Sequence, residues 1–124
     1  MSGACKQIAL EFLRTIIAGQ VREAYERYVS EDFRHHNPWF RGDAASLMAG
    51  MEDSQRTHPD KAFEIQFAIS DGDRVAVYSQ LRQFPGHAGI AVVHMFRFEG
   101  DRIAELWDVA QQVPENVVNE NGMF

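Results

Sequence analysis

The sequence has a single cysteine, Cys5, in 124 residues. It can therefore form neither an internal disulfide nor a cysteine-based metal site, and the reducing cytoplasm is the expected compartment. Basic residues are also few, since 12 Lys and Arg stand against 18 Asp and Glu, for a net charge of -6. Nucleic-acid binders display clustered basic residues, whereas the arginines here are scattered. The sequence therefore does not favour a nucleic-acid partner.

Long apolar runs are absent as well. No stretch approaches the roughly 20 apolar residues needed to span a bilayer, so no membrane partner is expected. Polar side chains such as Lys6 and Glu11 interrupt the first 17 residues, which do not have the pattern of a secretion signal. A 45% hydrophobic and 24% charged composition is typical of a globular protein, and this length predicts one domain over residues 1–124.

The first half of the chain has helical periodicity. Apolar residues recur at three- and four-residue spacing in residues 5–17 and again in residues 21–29. Asp43 can cap a third helix that ends before His58. Residues 30–42 show no sustained period and contain Asn37-Pro38, a turn signal. We therefore expect residues 1–60 to form three helices and a loop.

The period changes to two after Lys61. Four apolar residues then share one face of a predicted strand, and a second strand follows. Two further strands form a hairpin from Ile90 to Gln112 that turns at Gly100-Asp101. The four residues of the first strand are Phe63, Ile65, Phe67 and Ile69.

This order of elements predicts an α+β fold. We expect a cone-shaped α+β barrel, in which N-terminal helices pack on a curved, mainly antiparallel sheet over residues 61–112. The interior of such a cone is a natural pocket. Residues 113–124 are too polar for another strand, and the terminal Met123 and Phe124 could fold back over the pocket mouth.

The register of the last hairpin depends on Glu105. With an unbroken ladder, His94 would lie opposite Trp107, and Glu105 would enter the core without an evident partner, at a cost of several kcal/mol. A β-bulge near Ala104-Glu105 removes this conflict. We predict this bulge, which makes His94 and Asp108 cross-strand neighbours. It also turns Trp107 to the outer face, where an exposed tryptophan suits a homodimer interface.

Titratable residues inside strands point to chemistry or to pairing. Asp108 in an apolar pocket could abstract a proton next to a carbonyl, and His94 could donate a hydrogen bond to the enolate or hold Asp108 in place. The alternatives are a carboxylate bonded to backbone or arginine, and a core histidine satisfied by a tyrosine or backbone group. Of the adjacent His35 and His36, only one is expected to face the pocket. The histidine spacing matches no metal motif, and nothing resembles a nucleophile elbow or a cofactor-binding glycine loop.

Three segments carry a resemblance to a known family: His36-Asn37-Pro38, the F-R-F-x-x-x-x-I-x-E-x-W-D pattern from Phe96 to Asp108, and the tail from Asn119 to Phe124. With helices first and a curved sheet after, the chain resembles the SnoaL-like branch of the nuclear transport factor 2-like superfamily.

The resemblance implies site residues. In the polyketide cyclases of this branch, a late aspartate acts as acid and base, with a histidine on the preceding strand and an asparagine near the second helix. These residues look like Asp108, His94 and Asn37. The resemblance favours His36 over His35 as the pocket residue. The chain departs from these cyclases at Val92, where they have a polar glutamine.

Together these features predict a cofactor-free, metal-free enzyme that performs acid/base chemistry on a small hydrophobic carbonyl compound, as an aldol-type cyclase, isomerase or dehydratase. The predicted catalytic residues are Asp108 and His94. The predicted substrate-binding residues are His36, Asn37, Tyr25, Trp39, Val92, Phe96 and Met51. One alternative is a non-catalytic module that binds a small ligand. Another is a dimeric interaction domain that works through its outer sheet face.

Overall fold

Three helices pack on a five-stranded sheet in the computed structural model, which describes residues 2–124. The helices are α1 (Ser2–Ile17), α2 (Val21–Tyr28) and α3 (Ala44–Thr57). The strands are β1 (Val29–His35), β2 (Ala62–Asp71), β3 (Arg74–Arg82), β4 (Ile90–Glu99) and β5 (Arg102–Gln112). The strand order is β1-β5-β4-β3-β2, and only the β1–β5 pair is parallel. The predicted α+β fold with a mainly antiparallel sheet is confirmed, and the sheet is open rather than closed into a full barrel.

The first strand was not predicted, because residues 30–42 were expected to form a loop. In the structure β1 pairs with β5, with Arg34 beside Glu105 and His35 beside Leu106. Phe33 and His35 are buried, while the intervening Arg34 is exposed. This alternation covers too few residues to stand out in the sequence, and the strand exists because β5 supplies its hydrogen-bonding partners. The sheet therefore begins at Val29 rather than at residue 61.

The helices cover one face of the sheet as their periodicity predicted. Phe12 of α1 is fully buried, with its ring 5.5 Å from that of Tyr25 and 6.0 Å from that of Phe96 in edge-on contacts. The carboxylate of Asp43 accepts from the backbone N–H of Ser46 at 2.8 Å and caps α3, as predicted. Tyr25 and Phe96 thus belong to the core between the helices and the sheet.

The predicted bulge in β5 is present. Arg97 pairs with Glu105 and Phe98 with Ile103, so that Ala104 is the extra residue. Beyond the bulge the facing of the strand is inverted, which keeps Glu105 out of the core and places it on the outer face with Trp107. His94 and Asp108 are cross-strand partners, as expected.

A second bulge lies in β2, where the sequence indicated none. Ile65 pairs with Ser79 and Phe67 with Tyr78, so Gln66 is the extra residue. Ile65 packs against the core, whereas Phe67 is 58% exposed. The prediction that the four apolar residues of this strand share one face is therefore wrong. A bulge inside a regular alternation changes no residue type, so the sequence pattern does not reveal it.

The C-terminal tail lies on the outer face of the sheet. The ring of Phe124 stacks on that of Tyr78 at 5.8 Å, and the Tyr78 hydroxyl donates to the backbone carbonyl of Met123. The ring of Tyr78 also lies 5.4 Å from that of the exposed Phe67. The expectation that the tail covers the pocket mouth is wrong, since Met123 and Phe124 contact Tyr78 on the other face of the sheet. Among residues 2–124, no helix is long and apolar enough to cross a membrane.

Candidate active site

A cavity of about 610 Å³ opens between the helices and the inner face of the sheet. Its wall is mostly apolar, and its apolar side chains include Leu13, Ile16, Leu47, Met51, Phe63, Leu81, Ile90 and Val92. Its polar side chains are Asn37, Ser54, Lys61, His94 and Asp108. An apolar cavity with a few convergent polar groups is the usual form of a small-molecule site.

Asp108 presents its carboxylate to this cavity. Its Oδ2 atom accepts from the Asn37 side-chain amide at 3.0 Å. No arginine or lysine forms an ion pair with it among residues 2–124. The alternative of a carboxylate neutralised by arginine is therefore not what the structure shows. One oxygen is oriented by Asn37, and the other remains available to a ligand.

Asn37 holds that position through a turn. Its side-chain oxygen accepts from the backbone N–H of Trp39 at 2.9 Å, which closes the turn around Pro38 and aims the amide nitrogen at Asp108. Its backbone N–H donates to the Nδ1 atom of His35 at 3.1 Å. Asn37 thus serves both the turn and the site, the two roles that its sequence context allowed.

His35 does not line the cavity but stabilises the loop that follows β1 through two hydrogen bonds. Because its Nδ1 accepts from Asn37, the proton lies on Nε2, which donates to the backbone carbonyl of Arg41 at 2.5 Å. The residue is buried, with its ring 6.3 Å from that of Phe33. It ties both ends of the loop to β1 and so supports the position of Asn37.

His36 lies on the outer face of the sheet, although the resemblance implied that it would touch the ligand. Its ring stacks on Trp107 with centroids 5.0 Å apart, and its Nε2 is 2.6 Å from Glu105. The alternation of β1 explains this placement, since His35 takes the inward position. Neither histidine lines the cavity.

His94 forms part of the cavity wall beside Asp108. Its Nδ1 atom is buried and has no hydrogen-bond partner among the residues that the structure describes. Burial lowers the pKa of His94 from its ordinary value, and the charge of Asp108 offsets this effect in part. Burial thus favours the neutral imidazole, a form that can donate from one nitrogen and accept at the other.

The remaining predicted contacts divide into two groups. Trp39, Met51 and Val92 line the cavity, with Trp39 84% exposed at its rim. Tyr25 and Phe96 do not line it, because both are buried in the core. The hydroxyl of Tyr25 donates to the sulfur of Met51 at 3.3 Å, and burial raises the pKa of this tyrosine, with a smaller contribution from Asp108.

Lys61 and Ser54 line the cavity but were not among the predicted site residues. The Lys61 ammonium donates to the Ser54 hydroxyl at 3.1 Å. The sequence offers one signal, because Lys61 is one of only two lysines and directly precedes a strand. The position of Ser54 on α3 beside it depends on how that helix packs.

Glu105 has the partners that the sequence did not reveal. The residue is 4% exposed, and its carboxylate accepts from Arg34 and Arg97, each at 2.9 Å. Hydrogen bonds from Arg34 first, then from His36, hold the pKa of Glu105 at about 2. This cluster lies on the outer face of the sheet, next to the Trp107 ring on which His36 stacks.

Trp107 is less open than predicted. His36 stacks on its ring, and the guanidinium of Arg74 lies 5.5 Å from the ring centroid in a cation–π contact.

Within residues 2–124, no group of three or more His, Cys, Asp or Glu side chains could hold a metal ion.

Residues 9–106 match the family of SnoaL-like domains. The chain belongs to this family. The matched range includes Asn37 and His94 and ends just before Asp108. No curated protein matches this SnoaL-like domain in sequence.

Solved structures share its fold. A putative hydroxylase from Streptomyces galilaeus, AclR, superposes with a TM-score of 0.77 at 22% identity, covering 92% of this chain and 83% of that one. A putative polyketide cyclase from Acidithiobacillus ferrooxidans has a TM-score of 0.69 at 21% identity, covering 87% and 88%. A SnoaL-like protein of unknown function from Burkholderia thailandensis has a TM-score of 0.73 at 17% identity, covering 90% and 97%. At these identities the likeness shows the fold of the SnoaL-like domain and not its activity.

Proposed function

We propose that this SnoaL-like domain is a cofactor-free acid/base enzyme that acts on a small hydrophobic carbonyl compound, as an aldol-type cyclase, an isomerase or a dehydratase. One observation carries the proposal. Asp108, a carboxylate that has no ion-pair partner among residues 2–124, faces an apolar cavity, with one oxygen oriented by Asn37 and with His94 opposite it on the neighbouring strand. Displaced titratable groups in a cavity are a recognised sign of catalysis.

The chemistry assigns one role to each residue. The free oxygen of Asp108 takes a proton from the carbon next to the substrate carbonyl, and the electrons of that C–H bond form an enolate. An N–H of His94 donates to the developing oxyanion. In isomerisation, Asp108 returns the proton to another carbon. In aldol closure, the enolate carbon attacks a second carbonyl carbon of the substrate, and the resulting alkoxide takes the proton from Asp108. In dehydration, the enolate re-forms its carbonyl and a carbon–carbon double bond as the hydroxyl on the next carbon leaves as water with the proton from Asp108.

The comparisons support the class of reaction in a general way. The family is that of SnoaL-like domains, and one structural neighbour is described as a putative polyketide cyclase. The proposed step and the hydrophobic substrate are supported by the apolar cavity wall and by the orientation of Asp108. This geometry favours catalysis over passive binding because Asp108 is oriented but not neutralised.

The test is proton exchange by the unmodified protein. A panel of β-keto compounds is incubated with it in deuterated buffer, and NMR follows loss of the proton next to the carbonyl. We expect exchange above the buffer rate for compounds that quench the fluorescence of Trp39 at the cavity rim. If compounds bind but none exchanges, the domain is a non-catalytic binding module instead.

We propose in addition that two copies pair through the outer sheet face, and that the protein acts in the cytoplasm, where its lone buried cysteine stays reduced. Phe67 and Ile69 are each about 60% exposed on this face. Adjacent exposed apolar residues of this kind mark interaction surfaces. Because His36 and Arg74 pack on the ring of Trp107, we place the centre of the proposed interface at Phe67 and Ile69 instead of at Trp107.

The Ile69→Asp variant is expected to be monomeric, because a charge at the centre of an apolar interface is desolvated without a partner. Size-exclusion chromatography with light scattering measures this directly. We expect the unmodified protein at twice its chain mass of 14.1 kDa and the variant at that mass. Val118→Asp is the matched control, since Val118 is 95% exposed in the tail. An unmodified protein that is already monomeric would overturn the proposed dimer.

A further inference from the structure

Lys61 is a cation in the cavity that the proposed chemistry does not use. It precedes β2, and its ammonium donates to the Ser54 hydroxyl of α3 at 3.1 Å. Its neighbours in the wall are mainly apolar, among them Phe63 and Leu81. The chain has only two lysines, and the other, Lys6, lies on α1 outside the cavity wall.

The ammonium of Lys61 takes part in none of the ion pairs among residues 2–124, whereas Glu105 is paired with both Arg34 and Arg97. Partial burial lowers the pKa of Lys61, because the charged form loses hydration in the cavity wall. An anion bound at this position would compensate for that loss.

The position of Lys61 relative to Asp108 restricts where such an anion can sit. Asp108 lies on β5 and Lys61 directly precedes β2, which is three strands away in the sheet order, so the two side chains stand at different ends of the cavity wall. Asp108 repels an anion from its own end of the cavity. A ligand with one negative charge is therefore oriented, with its anionic end at Lys61 and its other end at Asp108.

We propose that Lys61 and Ser54 form a subsite for a carboxylate of the substrate, which makes the substrate a keto acid whose carboxylate is remote from the reacting carbonyl. The proposal rests on the proposed function for the carbonyl end of the ligand. One ammonium and one hydroxyl match a monoanion, whereas a phosphate dianion usually takes several cationic or backbone donors. Lys61 is then a determinant of specificity and does not take part in the proton transfer.

A matched pair of probes tests the subsite. The probes are δ-benzoylvalerate, in which four methylene groups separate an aryl ketone from a carboxylate, and its methyl ester, which has the same chain without the charge. Calorimetry measures the dissociation constant of each. We expect the unmodified protein to bind the acid about 10-fold more tightly than the ester, the effect of one partly exposed charge-assisted hydrogen bond.

Variants assign this preference to Lys61. Lys61→Met should abolish the preference while leaving affinity for the ester within about 2-fold, because methionine keeps much of the apolar stem. Lys61→Arg should restore it in part, and Lys6→Met should not change it. A preference that survives in Lys61→Met overturns the subsite, as does an unmodified protein that binds neither probe or favours the ester.

Two further measurements distinguish the carboxylate subsite from the proposed acid/base activity and from a nucleophilic role of Lys61. The Asp108→Asn variant should keep the preference for the acid, because the subsite does not depend on the base. If the unmodified protein prefers the acid but exchanges no proton, the proposed enzymatic activity is refuted and the subsite stands. Treatment with the acid probe and cyanoborohydride, followed by mass spectrometry, detects imine formation. A reduced adduct on Lys61 would show a nucleophilic amine and overturn the ion pair.

Discussion

Asp108→Asn is expected to lower the rate of proton exchange by about 1,000-fold, within the range that a positioned general base contributes. The amide has the shape of the carboxylate but cannot accept a proton at neutral pH. Its oxygen can still accept from Asn37, so the turn that carries Asn37 should be retained. NMR in deuterated buffer measures the rate for any compound that the unmodified protein exchanges.

The control for this variant is Asp101→Asn, because Asp101 is exposed in the turn between β4 and β5. It should exchange at the rate of the unmodified protein. Ligand affinity is measured for both variants, so that a loss of binding is not mistaken for a loss of chemistry. An Asp108→Asn protein that binds normally and exchanges at full rate would show that Asp108 is not the base.

Glu105→Gln is expected to destabilise the protein by about 2 kcal/mol. Removing one partner of a buried ion pair costs about 3–5 kcal/mol, and the lower figure here reflects the solvent exposure of Arg34 and His36. The main penalty falls on Arg97, which is 23% exposed and loses the negative charge of its partner at 2.9 Å. Urea unfolding at neutral pH measures the difference.

The control is Glu99→Gln, which removes a more exposed carboxylate 3.9 Å from the same arginine. It should change the free energy of unfolding by less than about 0.5 kcal/mol, as expected for a surface pair. Equal losses in the two variants would show that burial of Glu105 does not strengthen the cluster.

The same variant should alter the response to acid. The pKa of Glu105 falls from 4.5 to about 2 on folding, owing to the hydrogen bonds from Arg34 and His36 above all. Its ionised form therefore stabilises the fold fully above about pH 4.5, and this contribution is lost as the pH falls toward 2. We expect the unmodified protein to lose its stability advantage over Glu105→Gln across this window. A constant difference between pH 5 and 2.5 would contradict the assignment.

The charge cluster around Glu105 is connected to the candidate site through His36 and Asn37. Glu105 binds His36, which precedes Asn37, and Asn37 orients Asp108. The stacked ring of Trp107 completes the anchor of His36 on the outer face. The loop that carries Asn37 is therefore held from both faces of the sheet, by His36 outside and by His35 inside.

Several features of the site could be predicted from the sequence because they follow from local chemistry. A carboxylate at position 105 was incompatible with an unbroken ladder, and this requirement alone predicted the bulge at Ala104 and the pairing of His94 with Asp108. Asn37 before Pro38 predicted a turn, which is present. The facing of the β2 residues was not predictable, because the bulge at Gln66 leaves the alternation of residue types unchanged.

By itself the sequence determined the three helices, the hairpin order of the last four strands and the meeting of Asp108 with His94, since each rests on periodicity, turn residues or the cost of burying a charge. Only the tertiary structure decided the rest. It paired residues 29–35 with β5, which turned His36 outward to Glu105. It also brought Lys61 beside Ser54 in the cavity wall. These contacts join residues distant in the chain, and their energy comes from partners that no local pattern records.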